Sequence, residues 1–510
     1  MTQNNQNNKR IAKNTLLLYF RQILVMAVSL YTSRIVLEVL GVDDYGVYNV
    51  VGGLVGMFAI LSGSLSAAIS RFITFELGKG SKERLQTIFS TSVNVQLLLS
   101  FVIVLLLELA GIWFLNNKLQ IAPERLDAAH VVLHVSMLTF VVNLISVPYN
   151  ALIVAHERMS AFAYVSLLEV ALKLGAIFLL KVIPYDKLEL YAWSLFLIAL
   201  SIRFVYGVYC KRHFAESRYR FVIDRPLLKE MFAFAGWNFI GTSSGVLKDQ
   251  GLSIMLNIFF GTTVNAAKGI SMQISSAVNS FVTNFVTAIS PQITKSYAAD
   301  NRAYMMQLIF ASSRYGFFLL LLLSLPILIE TKQILSLWLG VVPDYTVNFV
   351  RLILIDSLVT ALSYSLITAM LATGQIKKYQ IIVGGLHMLN LPFSYILLRL
   401  GFTAESTFIV AILLSISCLI ARVYLLKTMI DLNPLYYTRQ VLLKVTTVAV
   451  FSTLLPYLIY TQLSYSFSRL VIVSLVAVSS VCFFVYIIGI NKQERCFINN
   501  KVAKFLSSKK

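Results

Sequence analysis

Fourteen apolar runs, each about 18 residues or longer, follow one another along this chain. They fall near residues 14–40, 45–69, 88–115, 128–154, 161–183, 189–210, 232–258, 264–290, 308–330, 345–373, 380–398, 405–426, 441–461 and 469–490. A helix of that length crosses the hydrocarbon core of a bilayer, because every backbone polar group is satisfied within the segment. The runs do not alternate polar and apolar residues, which excludes a transmembrane β-barrel. Charged residues make up only 13% of the chain, where a soluble domain carries about 25%, and no polar stretch is long enough for a large soluble domain. The reading is an all-α polytopic membrane protein.

The chain also repeats itself. Ser70-Arg71-Phe72-Ile73-Thr74 returns 220 residues later as Ser290-Pro291-Gln292-Ile293-Thr294, and Gly41 has Gly261 as its counterpart at the same offset. Gln86-Thr87-Ile88-Phe89-Ser90-Thr91-Ser92 recurs as Gln307-Leu308-Ile309-Phe310-Ala311-Ser312-Ser313, and the Ala151–Ala155 and Ala369–Thr373 segments also correspond. Such register inside a membrane protein points to a transporter built from related halves. Six helices per half is an even number, so the halves share one orientation, related by a pseudo-two-fold axis along the membrane normal. The expected divisions are a cytoplasmic N-tail (1–13), an N-lobe (14–231), a C-lobe (232–440), two helices outside the repeat (441–490) and a cytoplasmic C-tail (491–510).

Lys and Arg crowd the two tails and the even-numbered connections, while the odd-numbered connections hold few, among them Lys118, Arg125, Lys187 and Lys332. The positive-inside rule then places both termini in the cytoplasm. It also accounts for the net charge of +20 as topology and attraction to anionic lipid, with no nucleic-acid partner. The N-terminal basic residues Lys9, Arg10 and Lys13 precede an apolar run too long for a signal-peptide core, and the first helix is read as retained. The cysteines Cys210, Cys418, Cys482 and Cys496 have no metal or redox spacing.

An ionised side chain at mid-bilayer costs roughly 2.5–3.5 kcal/mol on insertion scales, so each should face protein or water. Glu169 and Lys173 are spaced to pair along one helix. The seventh and eighth helices are harder to explain by pairing. Asn238, Thr242, Gly245, Asp249 and Ser253 form one helical stripe, and Asn265, Gly269, Ser276, Asn279, Thr283 and Thr287 form another. A polar stripe is either interhelical glue or the lining of a wet cavity; the adjoining Lys248, Asp249 and Lys268 favour the cavity. The repeat pairs the first helix with the seventh and the second with the eighth, which gathers Arg21, Arg34, Lys248 and Lys268 into one expected cationic cavity suited to an anionic cargo. Asn238, Thr242, Asp249, Ser276, Asn279 and Thr283 are its expected polar lining. Asp249 and Asp356 are candidates for ion coupling. No metal site or cofactor is suggested, and no phosphate-binding P-loop motif is present, so Na⁺ or H⁺ coupling or the membrane potential would supply the energy. The short outward connections leave little surface for a polymerase or ligase site, so the chain is not read as an enzyme.

Leu40-Gly41-Val42-Asp43-Asp44-Tyr45-Gly46-Val47-Tyr48, Ser70-Arg71-Phe72 and Ala288-Ile289-Ser290-Pro291-Gln292-Ile293, with the six-plus-six-plus-two plan, resemble Wzx-type O-antigen and capsule flippases. These belong to the multidrug/oligosaccharidyl-lipid/polysaccharide exporter superfamily. The resemblance implies two six-helix lobes working by alternating access in the bacterial inner membrane. It implies an undecaprenyl-diphosphate-linked oligosaccharide as cargo for lipopolysaccharide or capsule synthesis, with membrane lipid and other polysaccharide-assembly proteins as partners. A cation-coupled multidrug exporter of the same fold is the competing expectation, and a membrane polysaccharide polymerase a weaker one.

Overall fold

The computed structural model describes residues 2–56, 58–117, 123–491, 494, 495 and 499. Among these there is no strand, and all fourteen expected spans are helical. The helices run in chain order as α1 (Thr2–Gly56), α2 (Ala59–Lys79), α3 (Lys82–Leu106), α4 (Ile112–Asn117), α5 (Leu126–Ala155), α6 (Met159–Val182) and α7 (Lys187–His213). They continue as α8 (Arg225–Phe260), α9 (Thr262–Ala298), α10 (Arg302–Ile329), α11 (Thr331–Leu339), α12 (Thr346–Ala361) and α13 (Tyr364–Thr373). The last are α14 (Lys377–Met388), α15 (Asn390–Arg399), α16 (Ser406–Ile430), α17 (Pro434–Tyr437), α18 (Leu443–Gln462) and α19 (Phe467–Phe484).

Among the described residues nine helices are long and apolar enough to cross a membrane, or ten if the pair α12 and α13, bent by 40°, is one span. The expected spans outside that set are α1, α2, α8 and α9, the first two helices of each half. For α8 and α9 the reason is chemical: they carry the polar stripes, which lower their hydropathy. The first helix begins at Thr2 and continues through the segment read as a tail.

Gly41 breaks α1 with φ 80°, and Gly261, at the junction of α8 and α9, has φ 81°. This left-handed conformation costs a residue with a Cβ about 1–2 kcal/mol and glycine almost nothing. The second helix of each half ends in the same way. Gly80 (φ 86°) caps α2, and Asp300 (φ 54°), 220 residues on, turns the chain after α9. The duplication is thus visible in backbone geometry as well as in sequence.

The chain forms two compact units, one of residues 1–242 with 287–301 and the other of 243–286 with 302–510. In the first, α5 packs on α7, α2 and α3, and α1 on α6. Its core gathers Val51, Ile103, Leu115, Val132, Leu133, Leu144 and Leu188. A turn at Glu157 ties α1 to the end of α9: its carboxylate meets Arg10 Nε and Lys295 Nζ, each at 2.7 Å, and Gln292 Nε2 at 2.7 Å. On another connection, the Arg125 guanidinium joins Asp44 and Asp186, and the Asp186 carboxylate caps α7 by accepting from the backbone N–H groups of Leu188 (2.9 Å) and Glu189 (3.2 Å).

In the second unit, α16 packs on α12, α14 and α15, and α18 and α19 pack on each other and on α10. The core around Leu256, Ala267, Phe349 and Phe408 lies where α8, α9, α12 and α16 meet. Glu330 and Arg469, both buried, form a two-pronged ion pair at 2.8 and 2.9 Å that ties the start of α19 to the end of α10. The two helices outside the repeat are therefore integral to this unit.

Candidate functional site

Polar side chains of the second unit converge on a cavity of about 300 Å³. It is lined from α8 by Lys248 and Asp249, from α9 by Lys268, Ser275 and Asn279, and from α12 by Asp356, Ser357 and Thr360. Tyr364 of α13, His387 of α14, and Ser415 and Arg422 of α16 complete its polar wall.

Each side of the site has its own bonding. Lys268 is buried and donates from Nζ to the Asp249 carbonyl oxygen (2.6 Å) and to Ser253 Oγ (2.7 Å). The lysine thus joins α9 to α8 through neutral acceptors, which leaves its charge available to the cavity's field. Lys248 Nζ lies 3.6 Å from Asp249 Oδ1. Opposite them, Asn279 Nδ2 donates to Ser357 Oγ (3.0 Å) and Ser275 Oγ (3.1 Å), the two serine hydroxyls are 2.9 Å apart, and the Tyr364 hydroxyl donates to Asn279 Oδ1 (3.4 Å). Asp356 Oδ1 is shielded from solvent and accepts no hydrogen bond among the described residues. Arg422, also buried, donates to Ser363 Oγ at 3.0 Å. Three cations, Lys248, Lys268 and Arg422, face two carboxylates, Asp249 and Asp356.

Of the expected site residues, the structure brings Lys248, Asp249, Lys268, Asn279 and Asp356 together in this cavity. Arg21 belongs to the first unit, where its guanidinium lies over the Phe162 ring, 4.6 Å from the centroid. The side chain of Arg34 lies outside the described residues. The α8 stripe divides. Asn238 and Thr242 are in the first unit, where Thr242 Oγ1 meets Ser64 Oγ of α2 at 3.2 Å, while Asp249 and Ser253 serve the second. Glue and cavity lining are therefore both present along one helix. Ser276 and Thr283 are exposed and do not line the cavity; Ser275, one position earlier, does. Glu169 and Lys173 pair at 2.7 Å, as their spacing requires.

Arg422 and His387 are lining residues that the sequence reading did not select. Arg422 falls in the last turns of an apolar span, where an arginine reads as reaching water. A lone histidine in an apolar helix, as His387 is, is ordinarily a satisfied helix residue. A helical-face plot of α16 puts Ser415 and Arg422 seven residues apart, on one face, and that was the available signal.

A helical membrane protein with a polar, charge-bearing cavity enclosed by bent and broken helices has the architecture of a secondary exporter. Residues 11–297 match the model of a family described as polysaccharide biosynthesis protein. The chain belongs to that family, within the multidrug/oligosaccharidyl-lipid/polysaccharide exporter superfamily. A curated relative, the uncharacterized membrane protein EpsK of Bacillus subtilis (strain 168), is 20% identical over 327 residues, 62% of this chain and 63% of that protein. The chain thus spans a little under two thirds of that relative's length. Among solved structures, MATE in the bent conformation is similar with a TM-score of 0.72 and 14% identity, covering 83% of this chain and 96% of that one. A MOP superfamily transporter from Pyrococcus furiosus, described as having a binding pocket of reverse polarity, gives a TM-score of 0.68 at 14% identity, covering 82% and 96%. At such identities these likenesses establish the fold.

Proposed function

We propose that this protein moves a lipid-linked oligosaccharide, carried on a diphosphate such as undecaprenyl diphosphate, from the cytoplasmic to the outer leaflet of the bacterial inner membrane. Membership of the polysaccharide biosynthesis family carries this reading. The cavity chemistry supports it, since Lys248, Lys268 and Arg422 outnumber Asp249 and Asp356 and give an anionic headgroup charge-assisted partners. The protein works by alternating access, driven by an ion gradient, the membrane potential or the gradient of the cargo itself, with both termini in the cytoplasm.

Lys248 is the residue to test, because among the described residues its contact is the 3.6 Å approach to Asp249, with no hydrogen bond of the kind that ties Lys268. Lys248→Met should lower surface polysaccharide about tenfold, the equivalent of one lost interaction of ~1.4 kcal/mol, with normal amounts of protein in the membrane. Lys268→Met should first lower thermal stability, by about 2 kcal/mol for the charge-assisted bonds it removes. Full polysaccharide in cells carrying Lys248→Met or Lys248→Glu would sink the assignment of this cavity to the cargo. The shielded Asp356 oxygen favours a second reading, cation-coupled export of drugs. Resistance to cationic dyes conferred on an exporter-deficient host, and lost in Asp356→Asn, would establish that instead.

A further inference from the structure

The segment from Arg218 to Asp224, between α7 and α8, has no regular secondary structure, starts from extended dihedrals at Arg218 (φ −72°, ψ 107°) and is bound along α3 at alternate residues. Gln86 Nε2 donates to the Arg218 carbonyl oxygen (2.8 Å), Ser90 Oγ accepts from the Arg220 backbone N–H (3.1 Å), and Asn94 Nδ2 donates to the Val222 carbonyl oxygen (3.0 Å). The Tyr219 hydroxyl also donates to Asn94 Oδ1, at 2.7 Å. The spacing explains the fit. Residues four apart on a helix rise about 6 Å, and residues two apart on an extended chain rise about 6.6 Å. Three rungs at positions 86, 90 and 94 therefore meet strap positions 218, 220 and 222 along about 12 Å of α3. The second half lacks this ladder: Ala311 stands where Ser90 would be and Tyr315 where Asn94 would be. The ladder is particular to the strap and not a residue of the duplication.

Phe221 and Ile223 face outward, at 76% and 60% exposure, and Tyr219, half-exposed, lies back on α3 through its bond to Asn94. The basic residues of this connection, Lys211, Arg212, Arg218, Arg220, Arg225 and Lys229, are also exposed. Of the acidic residues over the same stretch, Glu230 is exposed beside Lys229, and the other two are used internally. Glu216 pairs with His156 at 2.6 Å with little of its side chain exposed, and Asp224 caps α8 by accepting from the Leu227 N–H at 3.0 Å. Burial opposes ionisation of Glu216, but the His156 bond, a backbone hydrogen bond and the nearby charges of His156 and Lys82 together outweigh it and hold the carboxyl below the usual range. What remains outward is an apolar row flanked by positive charge, directly after a membrane-spanning helix. An extended backbone at the level of lipid is tolerated only when its polar groups are satisfied by protein, and the α3 ladder supplies partners at alternate residues.

We propose that this strap is an anchor for an anionic phospholipid leaflet, with Phe221 and Ile223 entering the acyl boundary, Tyr219 beside them at the interface, and Arg218 and Arg220 meeting the headgroups. Tyrosine favours the membrane interface, and cations there are attracted to an anionic leaflet. The anchor would make lipid composition act on the segment that leads into α8.

The test uses the full chain in vesicles of phosphatidylcholine, with or without phosphatidylglycerol, carrying lipids brominated high on the acyl chain. The emission that Phe221→Trp adds to the parent protein should be quenched by the brominated lipid, and more strongly when phosphatidylglycerol is present. Adding Arg218→Gln and Arg220→Gln, both at exposed sites, should abolish the extra quenching while leaving a monodisperse protein. Emission reached by aqueous iodide and not by brominated lipid would overturn the anchor. So would quenching indifferent to phosphatidylglycerol, or shielding of the added tryptophan from iodide only when a cytosolic protein fraction is supplied.

Discussion

Gly261 shows how one residue reports on the whole plan. It holds φ 81°, and an added Cβ would meet nothing within 4 Å. Any cost of Gly261→Ala is therefore backbone strain and not collision. Thermal unfolding in detergent should show a loss of about 1 kcal/mol; an unchanged melting temperature would mean that the α8–α9 junction relaxes into another conformation. Lys268 makes a complementary point. Read from sequence, it was one cation among four in a shared cavity. In the fold it is both a lining residue and a structural tie to Asp249 and Ser253, which separates it from Lys248. Arg422 went unselected because charge at the end of an apolar run usually reaches water, and only burial distinguishes the exception.

At the scale of elements, two ion-pair systems fix helix ends. Arg125 joins Asp44 and Asp186. Burial opposes ionisation of Asp186, but the Glu189 N–H and the Arg125 guanidinium outweigh it and hold its carboxyl below its ordinary value of 3.8. A depressed acid stabilises the fold above its unfolded pKa, and that contribution disappears as pH falls through the folded pKa. Melting temperature should therefore drop from about pH 4 downward, and Asp186→Asn should flatten that limb; an identical acid limb in the variant would exclude this clamp as its origin. Glu330 and Arg469 are more deeply buried. Removing one member of such a pair leaves the other charge uncompensated, at about 3–5 kcal/mol. Arg469→Ala should accordingly expose the α18–α19 pair to limited proteolysis before the rest of the chain, whereas Glu330→Gln with Arg469→Met together should restore much of the protection.

For the whole molecule, the orientation proposed from Lys and Arg distribution has a direct check. A cysteine replacing Lys187, in a background lacking the native cysteines, should react with a membrane-impermeant maleimide in intact cells. One replacing Lys378 should react only after permeabilisation. The reverse pattern would invert the topology and place the strap at the outer leaflet.

The sequence by itself determined that the chain is helical, membrane-spanning and duplicated, because hydropathy and a repeated register are properties of local segments that need no partner to be read. It also marked Lys248, Asp249, Lys268, Asn279 and Asp356 as polar groups too costly to leave in lipid. What it could not determine is which faces meet. The α8 stripe looks uniform in sequence, yet Thr242 meets Ser64 while Asp249 lines a cavity with His387 and Arg422. Tertiary structure alone decided that division, and it alone paired Gln86, Ser90 and Asn94 with a strap more than a hundred residues away. Long-range pairing depends on how helices from distant parts of the chain pack, and no local pattern encodes it.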